Sequence, residues 1–158
     1  MKKQANSKHC FVCGVVNFNG LQIKFYEDQP GAVHATVKVP EHFQGYPGIV
    51  HGGVIAAMLD EVAGRCVIGT DPPRWMVTAR LSIRYRRPVP VETPLSLFGT
   101  LKEETGLLVK ATGEIRDEAG AVLAEADVLL VNAPANMQVG LAQLSQEEWM
   151  VYSDEARP

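Results

Sequence analysis

The sequence predicts an α+β domain in which an antiparallel sheet of five to six strands wraps around one long central helix. Three observations carry this. Residues 51–68 hold a helical pattern with two distinct faces. Six segments alternate apolar and polar residues at the strand period and are bounded by turn residues. Two of these segments precede the helix and four follow it, so a single helix must serve as the core that the sheet covers.

The first strand follows the turn Asn17-Phe18-Asn19-Gly20 and turns Leu21, Ile23 and Phe25 to one face. Pro30-Gly31 makes a hairpin into residues 32–39, where Val33, Ala35, Val37 and Val39 share a face. Pro40 ends that strand, and a Gly- and Pro-containing loop over 41–50 delivers His51 to the helix. The helix runs to about Ile68 and is stopped by Gly69-Thr70-Asp71-Pro72-Pro73. Residues 76–88, 95–104, 107–116 and 121–131 are the remaining strands. Residues 134–158 form a tail, in which Ser145-Gln146-Glu147-Glu148 has capping-box spacing and Trp149, Met150 and Tyr152 give a short helix something to dock. The end of the tail is polar and expected to be loose.

On the helix, Val54, Ile55, Met58, Leu59, Val62 and Cys66 gather on a broad apolar face that should lie on the sheet. Gly53, Ala56, Ala57, Asp60 and Gly64 form a second face of the smallest side chains, with one carboxylate among them. Nothing else in the chain is left to cover that second face. A two-fold dimer would supply a partner, which places Asp60 at or near a subunit interface. At the helix start, the Gly52 and Gly53 N–H groups lack intrahelical acceptors and the helix dipole adds positive charge. An oxygen gaining negative charge would be stabilised there. Glu61 projects about 100° away from Asp60, toward Arg65, where an i,i+4 ion pair is the natural reading.

With 158 residues, 46% of them hydrophobic, the chain suits one domain over 1–158, its core spanning about residues 10–133. A formal net charge of −3 and a pI near 5.8 argue against nucleic-acid binding. The basic N-terminus leads into no apolar stretch and no segment has the length of a membrane span, so we expect a cytoplasmic protein with no membrane association. Cys10, Cys13 and Cys66 are an odd count that fits a reducing compartment. Cys10-x2-Cys13 has zinc-ligand spacing, but no second ligand pair follows, and the expectation is a compact turn without metal.

Taken together, His51-Gly52-Gly53 with Asp60, the strand Val77-Thr78-Ala79-Arg80-Leu81-Ser82-Ile83-Arg84-Tyr85-Arg86-Arg87-Pro88, and Cys10-x2-Cys13-Gly14 with Asn17 and Gly20 resemble the hotdog-fold acyl-CoA thioesterases, most closely their PaaI-like branch. The resemblance covers about residues 10–133. It implies a hotdog fold, homodimers or dimers of dimers with the site at the subunit interface, and hydrolysis of an acyl-CoA thioester with no metal and no cofactor, CoA being part of the substrate. By this resemblance the Gly52 N–H holds the thioester carbonyl, and Asp60 activates water as a general base or attacks the carbonyl itself. Thr78 matches the strand hydroxyl that assists, and Gln44 is the candidate for the amide before the histidine, with its loop differing by about one residue in spacing.

His51 lacks a nucleophile beside it, so helix entry and shaping of the substrate site with Gly53 are its expected roles. No Gly-x-Ser-x-Gly supports a Ser/His/Asp mechanism. Arg86 and Arg87, with Arg84 and Lys102, are candidates for the CoA phosphates, and strand alternation sends Arg84 and Arg86 to one face and Arg87 to the other. Phe43, Tyr46, Trp75 and Met76 are candidates to line the pocket for a small or medium acyl or aryl group. Two rival readings are a hotdog hydratase or dehydratase, which would need a catalytic histidine, and a non-catalytic acyl-CoA-binding protein.

Overall fold

The computed structural model describes residues 1–68, 74–138, 140 and 148–153. Its strands, in chain order, are β1 Lys2–Lys3, β2 Asn6–Ser7, β3 Phe25–Gln29, β4 Ala32–Lys38, β5 Met76–Tyr85, β6 Pro94–Glu104, β7 Leu108–Arg116, β8 Val122–Asn132 and β9 Trp149–Met150. Helix α1, Gly52–Gly64, falls between β4 and β5. Seven strands make one sheet in the order β1-β3-β4-β6-β7-β8-β5, and β2 pairs with β9 in a separate two-stranded ribbon. Every pairing in both sheets is antiparallel. The predicted α+β architecture is therefore present, with the strand count raised by the short β1. Among the described residues no helix is long and apolar enough to cross a membrane.

The apolar face of α1 settles on the sheet as its pattern requires. Ile55, Met58, Leu59, Val62 and Ala63 are buried among Phe25, Leu95, Leu97, Val109, Ile115 and Leu130. The approach is close enough to dictate sequence on the sheet side. A Cβ at Gly99 of β6 would lie 2.1 Å from the Val62 carbonyl oxygen, so any side chain there would push the helix off the sheet. The opposite face, with Gly53, Ala56, Asp60 and Gly64, stays partly or wholly exposed in this chain.

Several boundaries differ from expectation. The α-helix ends at Gly64 and continues only as a 3-10 turn over Arg65–Val67. Gly69 to Pro73, expected to stop the helix, lie outside the described residues. Leu21 and Ile23 are buried as the alternation implied, but Gln22 at φ 51° breaks the strand, which starts only at Phe25. Their N–H groups bond instead to Phe11 and Val12 of the N-terminal turn, at 2.8 and 2.9 Å. Trp149 and Met150, expected in a tail helix, form β9 against Asn6 and Ser7, while Ser145 to Glu147 lie outside the described residues.

Strand β5 forms one border of the large sheet, and its geometry decides which side chains reach the helix. The register against β8 shifts between Thr78 and Arg80, so Ala79 is an extra residue. Without that bulge Thr78 and Ile83 would face opposite sides. With it, Thr78, Leu81, Ile83 and Tyr85 all turn toward α1, and Arg80, Ser82 and Arg84 turn outward.

Candidate active site

Asp60 sits on the small-residue face of α1, where Thr78 Oγ1 of β5 donates to its Oδ1 at 2.7 Å. The hydroxyl proton points at the carboxylate, which leaves the other carboxylate oxygen for a water or a substrate carbon. Beside this pair opens a cavity of about 230 Å³. Trp75, Met76, Val67, Ile68, Leu130 and Met137 give it apolar walls, and Gly64 contributes no side chain to fill it. Of the four residues expected to line an acyl pocket, it contains Trp75 and Met76. Phe43 instead packs edge-on against Phe11 at 6.0 Å, and Tyr46 is 80% exposed in its loop.

A second cluster forms at the start of the same helix. His51 is the N-cap residue, and its Nδ1 accepts from the Gly53 N–H at 3.0 Å. The ring is therefore in the tautomer with its proton on Nε2. This corrects the expectation that both glycine N–H groups are open, because the imidazole of the preceding histidine occupies the one on Gly53. The Gly52 N–H, at the first helical position, has no intrahelical acceptor, and no other described residue accepts from it. Tyr85, at the far end of β5, donates its hydroxyl to the Gly52 carbonyl at 3.0 Å and so fixes the helix start against the strand. Sequence reasoning did not single out Tyr85, since a tyrosine ending a strand carries no signal of what it meets.

These two clusters do not converge within one chain. From Gly52 to Asp60 the helix rises about 12 Å. A carbonyl held by a donor at about 3 Å and attacked from 3 to 3.5 Å needs the two groups within roughly 7 Å. Gly52 and Asp60 thus mark two separate clusters, at opposite ends of the contact between α1 and β5.

Gln44 is not among the residues that line the cavity beside Asp60. Its Oε1 accepts from the Gly48 N–H at 2.9 Å, bracing the loop that also closes through Gly45 N to Ile49 O and His51 N to Phe43 O. The side chain fixes the entry of His51 into the helix and does not extend to Asp60's cavity.

The basic end of β5 also departs from simple alternation. Arg86 and Arg87 both donate their backbone N–H to the Leu123 carbonyl, a second bulge. Arg86 then folds onto Glu125, 2.6 Å away, which holds that carboxyl below the usual carboxylate range. Arg84 and Arg86 do share a face, as expected, with Glu125 opposite Arg84 in register. Arg87 is exposed, with no carboxylate partner among the described residues. Arg84 and Lys102 lie on the outer face of the sheet, in a depression of about 440 Å³ lined by Thr112, Glu114, Glu125 and Asp127. That depression is larger than the cavity at Asp60, and polar and charged side chains make up most of its lining.

The face of α1 next to Asp60 is occupied by a buried polar cluster. Glu61 Oε1 accepts from Arg65 Nε at 2.9 Å, the i,i+4 pair expected, with the guanidinium buried and the carboxylate half-buried. The Arg65 guanidinium is fully enclosed, donating to the Ala5 carbonyl at 2.6 Å and lying 4.5 Å over Phe25 and 5.1 Å from Trp149. Cys10, Cys13 and Glu61 bring their sulfur and carboxylate atoms within 4.8 Å of one another, a meeting across fifty residues that no local spacing could reveal. A hydrogen bond from the Cys13 thiol lowers Cys10 to about 7, while Cys13, supplying that proton and buried beside Glu61, is pushed up. Burial likewise pushes Cys66 up to about 12, and it packs inertly behind the helix.

Residues 47–124 match the family model described as the thioesterase superfamily. The chain is 37% identical over 79 residues to acyl-coenzyme A thioesterase THEM4 of Rattus norvegicus, an alignment covering 49% of this chain and 33% of that protein. A solved thioesterase superfamily protein is similar at 35% identity and a TM-score of 0.72, over 78% of this chain and 63% of that one. A Streptococcus mutans protein solved bound to acetyl CoA shares the fold, with 21% identity, a TM-score of 0.65, and coverage of 70% of this chain and 88% of its own. The chain thus spans about a third of the length of the curated relative.

Proposed function

We propose, for a chain whose residues 47–124 match the thioesterase-superfamily model, that it hydrolyses acyl-CoA thioesters to free acid and CoA at a site shared between two copies. The observation that carries the reading is the pair of half-sites on α1. One copy contributes the Gly52 N–H, held open at the positive end of the helix to bind the thioester oxygen as it gains charge. The other contributes Asp60, steadied by Thr78, to activate water or attack the carbonyl carbon. The border position of the ten-residue β5 supports this assembly, since antiparallel pairing with a symmetry mate would satisfy its free edge. Dimers of dimers fit the same scheme.

The cavity beside Asp60 supports a small or medium acyl or aryl group as the acid half of the substrate. Its volume of about 230 Å³ and the walls of Trp75, Met76, Leu130 and Met137 suit an apolar group of modest size. Arg87, exposed and two residues beyond the Tyr85 that bonds Gly52, is the candidate to meet the CoA phosphates. The reaction needs no metal or cofactor in this scheme, and its site is cytoplasmic by the expectation drawn from composition. A hydratase reading that relies on a histidine loses support because His51 Nδ1 is taken by the cap.

A panel of acyl-CoA thioesters from acetyl to long-chain and aryl, monitored for free thiol, tests the proposal. Turnover should be greatest for short, medium or aryl groups. Absence of thiol release across the panel, with ligand still bound, would instead establish an acyl-CoA-binding protein.

A further inference from the structure

We propose that Cys10, Cys13 and Glu61 form a three-ligand site for one thiophilic divalent cation, zinc by preference, which fastens the N-terminal turn to α1, with Glu61 reaching it from the edge of the cavity beside Asp60. The donor atoms are already gathered. Cys10 Sγ lies 3.7 Å from Glu61 Oε2, and all three ligand atoms fall within 4.8 Å of one another. Tetrahedral zinc, with bonds of about 2.3 Å to sulfur and 2.0 to 2.2 Å to oxygen, spaces its ligands about 3.4 to 3.8 Å apart. Only small side-chain rotations separate the observed arrangement from that geometry.

The turn is built to present sulfur. Cys10 Sγ accepts from the N–H groups of Val12 at 3.3 Å and Cys13 at 3.5 Å, donors that suit a sulfur anion. Asn6 Nδ2 donates to the Cys13 carbonyl at 2.8 Å and Asn17 Nδ2 to the His9 carbonyl at 3.2 Å, so the loop is held from both sides. A Cβ at Gly14 would sit 2.3 Å from the Cys10 carbonyl oxygen, so only glycine follows the second cysteine.

The third ligand is oriented by its neighbours. Arg65 engages Oε1 of Glu61 and leaves Oε2 facing the sulfurs, as an outer partner of a ligating carboxylate does. Charge also balances. The guanidinium offsets the carboxylate, and two thiolates, formed by release of two protons on binding, offset a divalent cation. Two sulfurs with one carboxylate favour zinc over magnesium, calcium or manganese, and three protein ligands leave the fourth position to water.

The test uses the full chain, kept reduced, stripped with chelator and titrated with zinc or with cobalt as a spectroscopic probe. No readout depends on hydrolysis, so failure here is distinct from failure of the thioesterase reading. The expected result is about one metal per chain, with a thiolate-to-cobalt charge-transfer band. Cys10→Ser and Cys13→Ser, each shown folded by circular dichroism, should each weaken that band and lower zinc affinity at least about tenfold. Glu61→Gln should lower affinity while retaining the band, because both sulfurs remain. Substoichiometric binding by the folded wild-type chain, a cobalt spectrum without the thiolate band, or a band indifferent to both serine variants would overturn the site.

Discussion

Thr78 and Asp60 meet at 2.7 Å across the gap between the border strand and the helix, and the bulge at Ala79 is what turns the threonine inward. The carboxylate is thereby held by a neutral donor that does not quench its charge. Asp60→Asn should lower kcat for acyl-CoA hydrolysis by about 10² to 10⁴. Stability should move by less than about 1 kcal/mol, since the residue lies on a half-exposed face. Thr78→Val removes one hydrogen bond to a charged group and should cost about ten- to a hundredfold in kcat. Steady-state kinetics beside a denaturant curve checks both, and an Asp60→Asn enzyme with most of its activity would remove Asp60 from the mechanism.

Gly52→Pro isolates the proposed carbonyl donor. Proline deletes the N–H yet is tolerated at the first helical position, and His51 already has the φ −59° and ψ 136° that suit a residue before proline. An atom added at Gly52 Cβ would meet only the Tyr85 ring edge, at 3.7 to 3.9 Å, an ordinary contact. Thioesterase activity should fall by about 10² to 10³ while the melting temperature stays close to that of the parent.

Mixing tests whether the two half-sites belong to different copies. A subunit with Gly52→Pro and one with Asp60→Asn, exchanged at equal concentration, would form hybrids in which one of two sites has both functional groups. Random pairing should restore about a quarter of parental activity. If each site used Gly52 and Asp60 of one chain, no restoration would be measured.

The helix was legible in the sequence because its two faces differ in kind, bulky apolar on one side and small with a carboxylate on the other. Gly52, His51 and Asp60 could be singled out because one helix sets their spacing. The strands after the helix were legible to within one or two residues at most ends for the same local reason. What was hidden is non-local. The bulges at Ala79 and at Arg86 and Arg87 depend on pairing with β8, so simple alternation could not tell which β5 side chains face the helix. Glu61 and the two cysteines meet only once the N-terminal turn docks on α1, and β9 depends on a partner more than a hundred residues away.

The ends of the Arg86 and Arg87 side chains should behave differently. Arg86 is engaged by Glu125, whereas Arg87 is exposed and has no such partner among the described residues. Arg87→Glu should raise KM for acyl-CoA about tenfold, the scale of one charge-assisted contact. KM for a short acyl-pantetheine thioester, which lacks the nucleotide phosphates, should stay unchanged. Arg86→Glu should act more weakly on the ratio between the two substrates, since its charge is already offset. Equal effects on both substrates would take phosphate binding away from this end of β5.

Arg65 and Glu61 form a pair whose removal should be strongly non-additive. The guanidinium is fully buried between Phe25 and Trp149, and Glu61 is its only carboxylate partner among the described residues. Glu61→Met strands a buried positive charge and should cost about 3 to 5 kcal/mol. Arg65→Met keeps a long apolar stem against both rings but loses the bond to the Ala5 carbonyl and leaves the carboxylate unpaired. The double variant replaces both charges by apolar groups and should be more stable than Glu61→Met alone, with a coupling energy of about 1 to 3 kcal/mol. Guanidinium denaturation of the chelator-treated chain reads this directly, and strictly additive losses would show that the pair is not what anchors the N-terminal segment to α1.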